Sequence, residues 1–208
     1  MTRRRPNFNQ TVRALIRDVA QRLPEFSHIK PSRILVVAGE ARRGSRGTVK
    51  PLSRNPGGGR GVRAKSVVKI RGRRMLYCIT LRPLFFRSST PKGRITTLIH
   101  ELFHISPRFD GTLDERRRHA ALGRNFGLEL RPLVRRYLRH CPPELLAAFA
   151  FDGEVRVQQW LERPGAKNAR KPNARRIFTE AQLFSGPIRM ITERTRPARQ
   201  ARAKIKLH

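Results

Sequence analysis

Acidic side chains are scarce in this chain: 14 Asp and Glu face 47 Lys and Arg over 208 residues, a formal charge of +33. A domain this basic repels itself and attracts polyanions, namely nucleic acid, acidic protein surfaces or anionic lipid. A GC-rich gene would account for 38 of the cations being Arg and 9 Lys, but not for the shortage of acids. Cysteine is nearly absent. Cys78 and Cys141 alone exclude a disulfide framework and a CxxC zinc site, and they fit a reducing, cytoplasmic compartment. Long apolar runs are missing too: the longest, Leu145–Phe151, falls far short of the ~18 residues a membrane span needs. The opening MTRRRPNFNQ has no apolar stretch of the kind a secretory signal requires. Aromatics make up only 7% of the chain, too few for extended base stacking, so any nucleic-acid contact should be to the backbone and without sequence preference. No internal repeat occurs, which excludes a solenoid.

What is present is a globular composition, 38% hydrophobic, sized for one domain or one domain plus a tail. Phe8, Val12, Leu15, Ile16, Val19 and Leu23 recur at helical spacing and predict an amphipathic N-terminal helix within 1–24, stopped by Pro24. Arg33–Ala38 reads as a buried strand. Residues 41–65, rich in Gly, Pro, Ser and Arg, read as a basic extended loop or ragged hairpin. Within it, 59–64 matches GxGxxA, but no strand leads into it, so a nucleotide site is rejected. Residues 66–71 and 75–81 flank Gly72-Arg73-Arg74 and predict a hairpin. Thr90 before Pro91 predicts a capped helix to about Ile105. Further helices are expected at about 113–123, 129–140 and 143–150, with a late strand at 153–160. From 163 to 208 the chain reads as a basic linker and tail. The order predicts an α+β fold: a small mixed or antiparallel sheet packed on the 90–105 helix, within a unit spanning 25–162.

Residues 100–104 are His-Glu-Leu-Phe-His, an HExxH motif. On a helix, positions i and i+4 share a face, so His100 and His104 can both present an imidazole nitrogen to one Zn²⁺. Glu101 follows the first ligand and can take a proton from water at the metal's open position. A catalytic zinc takes three protein ligands, and three residues compete for the third place. His119 would complete a three-histidine site. Asp110 stands where compact zinc proteases with an HExxHxxGxxH pattern place theirs, although the glycine of that pattern is here Pro107, which cannot adopt positive φ. Glu115 lies one helical turn before His119.

The stretch TLIHELFHISPRFDGTL followed by RRHA resembles the phage metallopeptidase domain, a zincin-like family of phages and bacteria with an HExLH-type helix, an Ile-x-Pro exit and a later histidine. The likeness covers about 25–163 and is most specific at 98–119. It implies a zincin-like fold, metal at His100, His104 and His119, and catalysis by Glu101. The expected function is therefore a zinc-dependent hydrolase, most simply a metallopeptidase acting on protein or peptide. Its basic segments, 41–74 and 163–208, are expected to hold it on nucleic acid. Two other classes compete: a nucleic-acid-binding protein whose zinc is structural or vestigial, and a metal-dependent nuclease. The first has no use for Glu101. The second generally lacks that glutamate and carries its third histidine close behind the pair.

Overall fold

A computed structural model describes residues 5–41, 44–52, 67–164 and 177–193. The 59–64 stretch with its GxGxxA pattern, most of the 41–65 loop and residues 194–208 lie outside them.

The first helix, α1 (Phe8–Arg22), starts where the Asn7 side chain accepts the Gln10 N–H, and its Phe8, Val12, Leu15, Ile16 and Val19 are buried. β1 (Ile34–Ala38) is buried along its whole length, as a central parallel strand must be. β2 (Gly47–Pro51), β3 (Val67–Ile70), β4 (Arg73–Arg74) and β5 (Tyr77–Leu81) follow, then a short α2 (Pro83–Arg87) and α3 (Pro91–Phe103). Thr90 caps α3 by accepting the Gly93 N–H at 3.0 Å. The buried side of α3 carries Ile95, Leu98, Ile99 and Leu102. A one-turn α4 (His119–Leu122), α5 (Phe126–His140), α6 (Pro143–Phe149), β6 (Gly153–Trp160), β7 (Ile177–Phe178) and β8 (Leu183–Met190) complete the chain.

The fold is α+β, as the element order predicts. Five strands form a mixed sheet in the order β2-β5-β1-β6-β8, and β4-β3-β7 form a second, small one. β5 runs parallel to β1 and antiparallel to β2. β1 and β6 are paired as strands at one position only, Ala38 with Gln159. Asn9 bridges the gap between them, donating to Val36 O at 2.6 Å and accepting from Gln158 N at 2.7 Å. The main core joins α1, α3, α5 and α6 to one face of the large sheet. No helix among the described residues is long and apolar enough to cross a membrane.

Four local expectations need correcting. The 41–65 stretch contains a strand: β2 pairs with β5 over five residues, a partnership that a segment with one large apolar residue, Val49, does not announce. The hairpin is shorter than expected. It turns at Arg71 and Gly72, both at positive φ, and β3 pairs with β4 while 77–81 leaves for the large sheet. The expected 113–123 helix breaks into a 3₁₀ turn at Glu115–Arg117 and α4, because Arg118 between them is extended. Finally, 163–208 is more than linker and tail: β8 pairs with β6 over eight residues.

Candidate metal centre

His100 lies in the last turn of α3, and His104 caps that helix's C-terminus. A compact return then brings His119 back. Ile105 bridges Leu113 antiparallel, Phe109 and Gly111 take positive φ, and the Tyr77 hydroxyl accepts from Gly111 N and donates to Thr112 O, both at 2.9 Å. Tyr77 is thus the post that fixes the turn, and its own burial pushes its hydroxyl up to about 12. Asp114 is buried and pairs with Arg117 at 3.5 Å, setting the backbone from which α4 starts.

The outcome is a cluster of His100, His104 and His119 with ligand atoms within 4.8 Å of one another. His100 Nε2 is 3.3 Å from His104 Nε2 and 3.1 Å from His119 Nε2. His104 Nδ1 lies 2.8 Å from Arg117 O. A carbonyl only accepts, so Nδ1 carries the proton and Nε2 presents a lone pair to the cluster. Burial is the main cause holding His100 down at about 4, helped by its two histidine neighbours; burial likewise lowers His104. Neutral imidazoles are the form that binds a metal. Phe126, at the start of α5, covers the cluster from one side, with its ring centroid 4.1 Å from that of His119 and 4.9 Å from that of His100. His119 itself is exposed, leaving the cluster open to solvent on its side.

The two acidic alternatives are occupied elsewhere. Asp110 accepts from Thr112 N at 3.0 Å and pairs with Arg108 at 3.4 Å. Glu115 is largely exposed and pairs with Arg118 at 2.8 Å. Among the described residues neither joins the three histidines.

Glu101 is 5% exposed. Burial pushes its carboxyl up to about 7, against the opposing pull of the Val49 N–H it accepts and the nearby charge of Arg82. Arg82 is itself buried, donating to Glu40 O at 2.6 Å and Thr48 Oγ1 at 3.4 Å. Gly47 makes room for this carboxylate: a Cβ there would lie 3.1 Å from Glu101 Oε1 and 3.0 Å from Thr97 Cγ2. Gly47→Ala is therefore expected to displace Glu101 while sparing the histidines. The carboxylate or Thr97 must give way by a few tenths of an ångström; a crystal structure of the variant with Glu101 unmoved would show that the site has slack.

Sequence reasoning missed β2, Arg82 and Phe126 as parts of this site. The only signals were Thr48-Val49 inside a polar stretch and an aromatic just ahead of the helix expected from 129.

A family model described as "Putative phage metallopeptidase" matches residues 7–132, more than half of the chain. The match takes in α1 and ends within α5, earlier at both ends than the 25–163 expected, and includes all three histidines and Glu101. No curated protein and no solved structure gives a significant match.

Proposed function

The chain belongs to the phage metallopeptidase family, and from that premise we propose that it is a zinc peptidase in which His100, His104 and His119 hold the metal and Glu101 is the general base. The observation that carries the reading is the convergence of three imidazole nitrogens, with the buried carboxylate of Glu101 on the residue that follows the first of them. The donor set suits zinc: at a Zn–N distance of ~2.05 Å, tetrahedral ligand atoms lie about 3.3 Å apart, and the two Nε2 separations of 3.3 and 3.1 Å are close to that. Zinc, when bound, polarises a scissile carbonyl and lowers the pKa of water toward ~7.

The chain's own residues do the rest. Arg117 O holds the His104 ring and its tautomer, and Phe126 keeps water from one side of the cluster. Glu101, with a carboxyl poised near neutrality, accepts a proton from the attacking water and returns it to the leaving amine. Among the described residues β2 is an edge strand of the large sheet, so an extended peptide can add to it as a further strand near Glu101, which accepts the Val49 N–H of β2. A purely structural zinc site would have no need of that buried carboxylate. The excess of basic residues supports association of the enzyme with nucleic acid, where its protein substrates would be met.

The test is a competitive chelator titration with metal analysis. His119→Ala is expected to weaken zinc binding by more than the ~10–100-fold that loss of an outer-shell partner costs. Asp110→Ala and Glu115→Ala should change it little. The reverse order would move the third ligand to an acid, and wild-type protein that takes up no zinc would overturn the reading.

A further inference from the structure

A groove of about 620 Å³ lies between the first turn of α3 and the second half of α5, lined by Lys92, Pro132, Arg135, Leu138 and Arg139. At about 100° per residue, Arg131, Arg135 and Arg139 fall on one face of α5, and Glu129 falls off it. All three arginines are exposed. Eight other arginines among the described residues pair with a carboxylate; Lys92, Arg131, Arg135 and Arg139 are in none of these pairs. Nor can an acid outside the described segments neutralise them, because all 14 acidic residues lie within those segments. The groove and its margin thus gather four cationic side chains on two helices, none in an ion pair among the described residues.

We infer that this groove seats the phosphate backbone of a nucleic-acid duplex, with Arg135, Arg139 and Lys92 on phosphates and Arg131 at its margin. The inference rests on the nucleic-acid association proposed above and gives it a folded contact surface. Guanidinium groups present planar forks that match phosphate oxygens. From Arg131 to Arg139 the helix advances ~12 Å, which covers several phosphates at ~3.4 Å of rise per nucleotide. Among the described residues no aromatic side chain lines the groove, so contact is to the backbone and without sequence preference. A long polymer fits better than an acidic peptide. Another 19 Lys and Arg, with no acid among them, stand in 1–4, 42–43, 53–66, 165–176 and 194–208, and only an extended polyanion serves such dispersed charge. Lys92 precedes His100 by eight residues of one helix, ~12 Å along its axis. The groove and the histidine cluster therefore occupy opposite ends of the same pair of helices.

The experiment is a fluorescence-anisotropy titration of a labelled DNA duplex against the full chain at several salt concentrations. The charge-reversed Lys92→Glu/Arg135→Glu/Arg139→Glu variant is compared with Arg17→Glu/Arg87→Glu/Arg156→Glu, which carries the same net charge on other faces. The groove variant is expected to flatten the slope of log affinity against log salt by about 2–3, at ~0.9 per phosphate contact, and the control by less than about 1. Zinc content in both variants should equal that of wild type, which shows that each is folded. Equal flattening by the two triples, or displacement of the duplex by polyglutamate as effectively as by unlabelled DNA, would overturn the groove. A wild-type chain whose binding ignores salt would overturn the association itself.

Discussion

Glu101→Gln is expected to keep its zinc and lose at least ~10²-fold in kcat/KM, the scale on which a positioned general base contributes. The substitution is nearly isosteric. The amide oxygen can still accept the Val49 N–H, and Gly47 still leaves room for the side chain. What disappears is the basic oxygen. An amide cannot take a proton from water near neutral pH, and the buried position of Glu101 leaves bulk solvent a poor substitute. The loss should appear in kcat rather than in substrate binding, because it removes an interaction made only in the transition state. Metal analysis of the same preparation separates this from a damaged site. Full activity in the Glu101→Gln variant would remove the residue from the mechanism and leave the histidine cluster without its chemistry.

Arg94→Met should destabilise the protein by about 4 kcal/mol or more, the range reached when a buried polar network is broken. Arg94 is fully buried and its five N–H groups have five acceptors. Nε donates to Phe85 O at 3.0 Å; Nη1 to Phe149 O at 2.6 Å and Thr192 Oγ1 at 3.1 Å; Nη2 to Phe86 O at 2.9 Å and Ile191 O at 2.8 Å. One guanidinium thus ties α2, the end of α6 and the exit from β8 to the first turn of α3. Burial lowers its pKa from the usual arginine value, yet every donor is satisfied. Methionine fills similar volume but strands three carbonyls, those of Phe85, Phe149 and Ile191, while Phe86 O keeps the Ile191 N–H; each costs about 1–3 kcal/mol when buried without a partner. Lysine cannot rescue it, since three donors on one nitrogen do not reach five acceptors arranged around a plane. Equilibrium urea denaturation reads the effect as a drop in midpoint at constant m-value. A change below about 1 kcal/mol would mean that water takes over the stranded carbonyls.

The helix that carries the motif was legible because its signals are local. A capping threonine, a proline at the first position, a stripe of Ile and Leu, and two histidines four apart all sit within fifteen residues, and they specify a helix with both imidazoles on one side. β1 and β6 were legible for a similar reason: short apolar or alternating runs bounded by breakers. The family likeness named the same histidines and glutamate from the same segment.

Other parts depended on partners distant in sequence. β2 is a strand because β5 offers it a ladder, and its glycine matters because the Glu101 side chain comes to rest against it. β8 contains Pro187 opposite Arg156. The proline is tolerated because Arg156 N donates to Pro6 O on the other side, so that position of the ladder needs no N–H and Pro187 faces the free edge. The sequence by itself determined the chemistry on offer: two histidines and a glutamate on one helix, a surplus of cations, and an α+β order of elements. Only the tertiary structure decided which third side chain meets them. Tyr77, on a strand more than twenty residues before the motif, pins the turn after it, and the Arg117 carbonyl fixes the His104 ring. That pair of long-range hydrogen bonds selects His119 over Asp110 and Glu115 as the residue brought to the cluster, because periodicity sets which face of a helix a side chain occupies but not where the chain returns.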